Sequence, residues 1–267
     1  MSKNFAKDLD EYISLITMRL VDISVDIQNL SLILGDLCKE LTEISNKLKV
    51  KKMIIDHTHP IYRQKRLKQG NSKYNGAYYY SKDIVKYIIP NVKTNRNWIT
   101  VRLPEVYDHP EHSIVFIHNN RNPNYYSYLK RYQDLILVCS TKHTYENMKF
   151  FGKPIYLPLS VDINSVRRYK LKNKTKDMAF AGRRNKITNY VPSAADILTD
   201  IPQTKLIKEM AKYKKIYAVG RTAIQAKILG CEIGVYDNLY PNPDIWEVVD
   251  CIEAAKMLQN ILDAIDN

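Results

Sequence analysis

Two glycine-arginine turns are the residues of this chain whose types and spacing best fit a chemical role. Gly182-Arg183 follows the β-rich run Asp177–Ala181, and Gly220-Arg221-Thr222-Ala223 follows the run Lys215–Ala218. A glycine lets a phosphate approach the backbone, and an arginine can bind the phosphate through two hydrogen bonds. The N–H groups at the start of a helix also favour an anion. The two turns therefore predict a site for a phosphate-containing ligand.

The elements that must position these turns alternate between β-rich and helical segments, which predicts parallel sheets covered by helices. The predicted strands are Lys52–Asp56, Ser113–His118, Leu135–Ser140, Pro154–Leu159, Asp177–Ala181, Ala195–Asp200, Lys215–Ala218 and Glu232–Tyr236. The predicted helices are Ser81–Ile89, Tyr125–Tyr132, Lys142–Phe151, Thr204–Tyr213, Thr222–Leu229 and Val248–Ile265. The order repeats after the basic segment Val161–Lys176. We therefore expect two small Rossmann-like domains, residues 51–162 and 163–267, with ligands bound in the cleft between them.

The segment Tyr217–Ile233 resembles the donor-binding motif of GT-B glycosyltransferases. In its sequence, YAVGRTAIQAKILGCEI, a strand leads through a glycine turn into a helix, and a second glycine turn leads into the next strand. Met178–Arg183 is similar to the turn that opens the second domain of that family, and Pro154–Asp162 is similar to its inter-domain segment. The resemblance covers roughly residues 51–267. It implies two Rossmann-like domains and the transfer of a sugar from a nucleotide diphosphate donor to an acceptor.

The resemblance assigns two carboxylates to positions where this chain has other residues. The glutamate that holds the donor ribose in that family corresponds to Gln225, which can still form hydrogen bonds. The second glutamate corresponds to Tyr217. The alternative to an enzyme is therefore a protein that keeps the fold as a binding module. Such a module would use its basic surface on nucleic acid or on another macromolecule.

The resemblance also implies an acceptor side in the first predicted domain. His and Asp side chains often serve the family there as a base or as sugar contacts, and His118 and Asp56 end two predicted strands. One of them is expected to position or deprotonate the acceptor hydroxyl. A purely structural role for either side chain is the alternative. The segment Asn71–Tyr80, rich in Tyr and Asn, is expected to be a loop that either stacks on a sugar or base ring or has no such role.

No metal or resident cofactor is expected beyond the nucleotide-sugar substrate. His57 and His59 have no third ligand at a suitable spacing, and the predicted α/β region contains no Asp-x-Asp motif. Phosphate-binding loops of the Gly-x-x-x-x-Gly-Lys type and the dinucleotide fingerprint are also missing from the sequence. Arg183, Arg221 and the start of the following helix would then neutralise the leaving diphosphate.

The first fifty residues predict one long α-helix that joins copies of the chain through a coiled coil. Apolar residues recur at steps of four and three and form what we call the apolar seam. The seam comprises Leu9, Ile13, Ile16, Leu20, Ile23, Ile27, Leu30, Leu34, Leu37, Leu41, Ile44 and Leu48. A helix of this length spans roughly 60 Å, which is more than one small domain covers. The seam therefore predicts a homo-oligomer through residues 9–48.

The number of helices in this assembly is not determined by the seam, because Ile and Leu are mixed at both of its heptad positions. The a positions are Ile13, Leu20, Ile27, Leu34, Leu41 and Leu48, and the d positions are Leu9, Ile16, Ile23, Leu30, Leu37 and Ile44. Val25, Leu32 and Ile33 lie outside the seam and widen the apolar face, which indicates more than two helices. A helix folded back onto its own domain is the alternative.

The positive charge of the chain is concentrated after the helix. Residues 1–50 contain 6 Lys or Arg and 8 Asp or Glu, whereas residues 51–267 contain 35 basic and 20 acidic residues. The densest stretches are Lys51–Lys73 and Arg167–Lys186. Such a surface attracts phosphates of nucleotides, nucleic acid or anionic lipid, although a solvated basic surface is equally consistent with the composition.

The remaining sequence features predict a cytoplasmic protein without a membrane span. The chain has no apolar run of the roughly 18 residues that a span requires and no signal-peptide pattern at its start. Its four cysteines, Cys38, Cys139, Cys231 and Cys251, are far apart in sequence and form no Cys-x-x-Cys pair. This spacing disfavours zinc binding and a disulfide framework, as expected in a reducing compartment.

Overall fold

The protein is an α/β molecule with a long N-terminal helix. The computed structural model describes residues 3–47, 53–68, 76–101, 112–118, 129, 134–184 and 187–266. The chain divides into two units, Met1–Lys51 and Lys52–Asn267. We refer to them as the helical unit and the α/β unit.

In the helical unit, helix α1 runs for 45 residues from Lys3 to Lys47, which confirms the predicted long helix. Between residues 13 and 40, every side chain is exposed, including those of the apolar seam. Ile13 is 54% exposed and Leu34 is 61% exposed. Most helices in proteins are stabilised by the packing of such an apolar stripe, and within this chain the stripe is uncovered.

The first sheet of the α/β unit has five parallel strands in the order β1-β2-β3-β4-β5. The strands are β1 Ile54–Ile55, β2 Asn97–Ile99, β3 Ser113–Ile117, β4 Ile136–Cys139 and β5 Lys153–Tyr156. The helices of this part are α2 Pro60–Lys68, α3 Gly76–Asp83 and α4 Lys142–Met148. Helix α3 continues directly into a π-helical turn, Ile84–Ile88, and a 3₁₀ turn, Ile89–Asn91.

The second sheet has four parallel strands in the order β10-β9-β7-β8. Strands β6 and β11 form a separate parallel pair. These strands are β6 Ser160–Val161, β7 Lys176–Ala181, β8 Asp196–Leu198, β9 Tyr213–Tyr217, β10 Glu232–Gly234 and β11 Val249–Asp250. The helices are α5 Ile163–Arg167, α6 Gln203–Met210, α7 Arg221–Ile228 and α8 Cys251–Asp266. The predicted parallel α/β architecture is thereby confirmed.

Helix α8 follows the second sheet in sequence but packs in the core of the first sheet. Its residues Ala254, Ala255, Leu258 and Leu262 are buried in one cluster with Trp98 and Ile114 of β2 and β3. The chain thus passes between the sheets twice, before β6 and after β11, and these two strands pair with each other. The predicted domain boundary between residues 162 and 163 remains a prediction. Helix α8, which lies after this boundary in sequence, packs against the first sheet, which lies before it.

The structure differs from the sequence predictions in several short segments. Strands β2, β6 and β11 were not predicted, and residues 76–80 begin helix α3 although a loop was predicted for them. The helix buries Tyr80, which is 3% exposed and packs against Phe116 at a ring-centroid distance of 5.9 Å. The predicted helix Tyr125–Tyr132 lies outside the described residues except for Leu129, as do residues 71–75 of the predicted loop.

An ion pair between Arg96 and Asp134 lies at the amino edge of the first sheet, and it makes the free energy of unfolding depend on pH. Arg96, which is buried, donates through Nη1 to the Asp134 carboxylate at 3.0 Å, and His112 Nδ1 lies 2.8 Å from the other carboxylate oxygen. The hydrogen bond from His112 is the main reason that the pKa of Asp134 lies below its ordinary value. The bond from Arg96 adds to this effect and burial opposes it. Ionised Asp134 therefore favours the folded state.

We expect the free energy of unfolding to fall less on acidification in the Asp134→Asn variant than in the unmodified protein. A depressed folded-state pKa gives stabilisation that is fully present above the unfolded pKa, about 3.9, and is lost as the pH falls through the folded value. Urea unfolding between about pH 5 and pH 2 measures the difference. Asp177→Asn removes a surface carboxylate paired with Lys214 and serves as the matched control. Equal acid sensitivity of the Asp134→Asn and unmodified proteins would contradict this assignment.

Candidate functional site

The two glycine-arginine turns lie side by side at the carboxyl edge of the second sheet. Strands β7 and β9 are parallel neighbours, with Phe180 opposite Tyr217. Gly182 and Arg183 follow the end of β7, and Gly220 and Arg221 follow β9 and begin α7. Gly182, Arg183, Gly220, Arg221, Thr222, Ala223 and Gln225 are thus gathered around adjacent strand ends.

Each of the two glycines is required by its surroundings for a different reason. Gly220 has φ 61° and ψ −138°, a conformation that residues with a Cβ rarely adopt. Its carbonyl accepts from the N–H of Ile224 at 3.1 Å, which starts the first turn of α7. At Gly182 a Cβ would lie 2.8 Å from a ring atom of Phe180. A side chain at Gly220 would therefore strain the backbone, and one at Gly182 would require the Phe180 ring to move.

Arg221 is not at the surface of this edge but in a buried ion pair. Its Nη2 lies 2.5 Å from Oδ2 of Asp83 at the end of α3, and their side chains are 10% and 16% exposed. Burial raises the pKa of the Asp83 carboxyl, and the charge of Arg221 opposes that shift. Two further donors of Arg221, Nε and Nη1, are buried without a hydrogen-bond partner among the described residues. The same is true of Nε2 of Gln225, one helical turn later.

Helix α3 lies across the carboxyl ends of the first-sheet strands. The N–H of His57, after β1, donates to Ser81 Oγ at 3.1 Å, and Ser81 Oγ is 2.7 Å from Thr100 Oγ1, after β2. Tyr80 meets the ring of His118, after β3, edge-on at a centroid distance of 5.8 Å.

Helix α3 therefore contacts the carboxyl edges of both sheets. Residues Tyr80 and Ser81 contact the first edge, and Asp83, two residues further on, contacts Arg221 at the second edge. Tyr87 adds a second polar link, since its hydroxyl donates to Asp162 Oδ2 at 2.5 Å and accepts from Lys86 Nζ at 2.7 Å. Burial acts to raise the pKa of Asp162, but the bonds from Tyr87 and the Ser165 N–H hold the pKa below its usual value. The ion pair of Asp83 and Arg221 thus joins the two edges, and Tyr87 connects the same helical segment to the residue that follows β6.

The structure gives the two predicted acid-base residues different environments. His118 Nε2 lies 2.6 Å from the carbonyl oxygen of Thr100, which only accepts, so Nε2 carries the hydrogen and Nδ1 is the basic nitrogen. Asp56 Oδ1 accepts from both the N–H and the hydroxyl of Thr58, each at 2.7 Å. The carboxylate of Asp56 thus stabilises the turn that leads into α2. His118 remains the better candidate for a base.

Sequence reasoning missed Asp83, Tyr87 and Asp162, which connect α3 and the turn after it to α7 and to the start of α5. Asp83 and Tyr87 lie within a predicted helix, where neither spacing nor composition distinguishes them from surface residues. Asp162 also caps α5, with Oδ1 accepting from the Ser165 N–H at 3.0 Å. An Asp immediately before a short helix is a recognisable capping signal, and it was the one available clue.

The buried cysteines are unsuited to act as nucleophiles. Burial raises the pKa of Cys139 and of Cys251 to about 12, and it also raises the pKa of Cys231. Since the thiolate is the reactive form, these thiols are inert near neutral pH. Among the described residues, no group of three or more His, Cys, Asp or Glu side chains is placed to hold a metal ion. Within the same residues, no helix combines the length and the apolar character needed to cross a membrane.

Comparisons with known proteins add no relative from which a function can be transferred. No protein-family model, no curated protein and no solved structure matches this chain. The function must therefore be inferred from the site itself.

Proposed function

We propose that the protein is a metal-independent glycosyltransferase that takes a sugar from a nucleotide diphosphate donor. The observation that supports this most directly is the adjacency of the two glycine-arginine turns at the edge of the second sheet, which α3 connects to the edge that carries His118. Ligands of open parallel sheets bind in the crevice at the carboxyl ends of the strands. In this proposal the two sheets are the two Rossmann-like domains of a GT-B arrangement.

The donor diphosphate would bind between Arg183 and the start of α7. Arg183 is exposed at its turn and can approach a phosphate directly. The first N–H groups of α7, at Arg221, Thr222 and Ala223, have no partners within a helix and carry its positive dipole end. Both features stabilise the charge that develops on the leaving diphosphate.

Arg221 would bind the same diphosphate through Nε and Nη1, the two donor groups that do not pair with Asp83. Its Nε and Nη1 groups and Nε2 of Gln225 lie on one face of α7, because the residues are four apart. Buried donors without acceptors are unfavourable, so a ligand oxygen or an ordered water at this position would stabilise the site. Gln225 then supplies a neutral hydrogen-bond donor at the position where GT-B glycosyltransferases have a carboxylate.

The transfer step requires one proton acceptor, which we place at the carboxyl edge of the first sheet. The acceptor hydroxyl attacks the anomeric carbon, the bond between that carbon and the phosphate oxygen breaks, and the nucleoside diphosphate leaves with the electron pair. The proton of the hydroxyl passes to Nδ1 of His118, whose ring is oriented by the bond from Nε2 to Thr100. Asp56 maintains the neighbouring turn.

Thermal denaturation with a panel of UDP-, GDP- and ADP-sugars tests the proposal. A ligand that binds only the folded state raises the melting temperature by mass action, so we expect one donor to produce a shift. Arg183→Ala should weaken this ligand about tenfold or more, because a charge-assisted phosphate contact is lost. Lys214→Ala removes an equal charge from β9 at the amino side and should leave the shift unchanged. A panel without any shift would reject the proposal.

The alternative, a polyanion-binding module, is supported by a separate basic surface around α5. Arg167, Arg168, Lys170 and Lys172 are exposed there, and the ring of Tyr169 lies between Arg168 and Lys208, at 4.8 and 5.4 Å. Lys174 does not belong to this surface, because its Nζ donates to the last carbonyls of α6 and α7, those of Ala211 and Leu229. Steeply salt-dependent binding of an oligonucleotide, weakened by Arg167→Ser and Lys172→Ser but not by Arg183→Ala, would favour this alternative.

A further inference from the structure

The apolar seam of α1 is uncovered over the whole described part of its length. Eight seam residues lie between Ile13 and Leu37, and each is at least half exposed. Burying them in two copies would remove on the order of 1,000 Å² or more of surface from water, which is in the range of specific protein interfaces. We propose that α1 binds a second copy of itself in the antiparallel orientation, with Leu20 of one copy facing Leu37 of the other.

The distribution of Ile and Leu along the seam favours this orientation. In a parallel pair, positions a and d form separate layers, and two strands are favoured by β-branched residues at a and Leu at d. This chain has Leu20 and Leu34 at a, and Ile16 and Ile23 at d. In an antiparallel pair each a residue faces a d residue, so a mixture of Ile and Leu in both rows is accommodated. The central layers are then Leu20–Leu37, Ile23–Leu34 and Ile27–Leu30.

The charged residues beside the seam select the same pairing. Residues one before each a position face the corresponding residues of the other helix in an antiparallel pair. With Leu20 opposite Leu37, Arg19 of each copy lies beside Glu40 of the other, which gives two opposite-charge contacts. A shift by one seven-residue repeat would instead bring Asp26 beside Asp26 or beside Glu40, where like charges repel.

The other flank of the seam is compatible with close packing of the two helices. Between residues 13 and 40, the residues one after each d position are Thr17, Ser24, Ser31 and Cys38, all small. In the antiparallel pair this flank faces itself, Thr17 beside Cys38 and Ser24 beside Ser31, so the helices can approach closely on that side. In a parallel pair Arg19 would face Ser24 and Asp26 would face Ser31, so neither charge would form a charge pair.

Thiol cross-linking of the full chain distinguishes the orientations. Leu20→Cys and Leu37→Cys are each placed in a Cys38→Ser background and treated with a short bismaleimide linker. We expect neither variant alone to form a covalent dimer, whereas a mixture of the two, exchanged before treatment, should form one. Covalent dimers from each variant alone would show the parallel arrangement and overturn the proposal. A monomeric mass of the unmodified protein in sedimentation equilibrium at micromolar concentration would overturn it as well.

Charge exchange gives a second, independent test. Arg19→Glu should weaken self-association about tenfold at low salt, because two attractive contacts become repulsive. Arg19→Glu combined with Glu40→Arg should restore the association, and the difference should shrink as salt is added. Lys39→Glu, on the face away from the seam, should change the association much less. A double variant as weak as Arg19→Glu alone would contradict the Arg19–Glu40 contact.

Discussion

The Arg221→Ala variant is expected to lose about 3 kcal/mol of unfolding free energy, which would be a large fraction of the stability of an ordinary domain. The substitution leaves Asp83 buried at the end of α3 without its counter-charge. Since burial already raises the pKa of Asp83, the carboxyl should take up a proton at a higher pH in the variant. The variant should therefore be less destabilised at mildly acidic pH than at neutral pH. Urea unfolding at two pH values measures both effects.

A paired substitution separates the loss of the ion pair from the loss of packing. Replacing both partners, as in Arg221→Met with Asp83→Leu, removes both buried charges and should restore most of the stability. The matched control is Lys214→Ala, which breaks an exposed ion pair with Asp177 and should change the unfolding free energy by less than about 0.5 kcal/mol. If the double variant were no more stable than Arg221→Ala, an unpaired buried charge would not be the cause.

The Gly220→Ala variant is expected to lose about 1–3 kcal/mol, the usual cost of a sterically disfavoured backbone conformation. Space is not the reason, because the nearest atom to an added Cβ would be Leu159 Cδ2 at 3.8 Å. The cost comes from the φ of 61° combined with a ψ of −138°. If the backbone relaxes instead, the first N–H groups of α7 turn away from the proposed phosphate position, so the response to nucleotide sugar should also decrease.

Gly76→Ala is the control for this substitution. Gly76 lies in α3 without a positive φ, and an added Cβ would meet nothing within 4 Å. Alanine should be neutral or slightly stabilising there, because it lowers the entropy of the unfolded chain. Equal losses at Gly76 and Gly220 would show that the backbone conformation at Gly220 carries no special cost.

Local sequence pattern was sufficient to predict most of the α/β unit and the clustering of the two turns. Buried strands such as β3, in which Ser113 to Ile117 are all buried, give a continuous apolar run that is easily recognised. Strands β6 and β11 have two residues each, and their paired residues are 89 positions apart in sequence, so they leave no periodic signal. The adjacency of Gly182 and Gly220 followed from both turns ending parallel strands, although the strand order was not predictable.

The partners of the site residues were less accessible to prediction than their positions. Arg221 was expected to meet a phosphate, yet its nearest charge is Asp83, from a helix 138 residues earlier in the sequence. Such a contact depends on how two sheets face each other, and no local pattern encodes that. The same holds for the hydrogen bond that sets the tautomer of His118, because it depends on the neighbouring strand β2.

The return of α8 to the first sheet has a consequence for the order in which the protein folds during synthesis. Residues 251–266 leave the ribosome after the whole second sheet, yet Ala254, Ala255, Leu258 and Leu262 cover one face of β2 and β3. Trp98 and Ile114 must therefore stay partly solvated while the next hundred or more residues are made. Domains usually fold in the order in which they emerge. Here the first sheet can reach its final packing only after the second sheet has been synthesised, so the first sheet is not an autonomous folding unit.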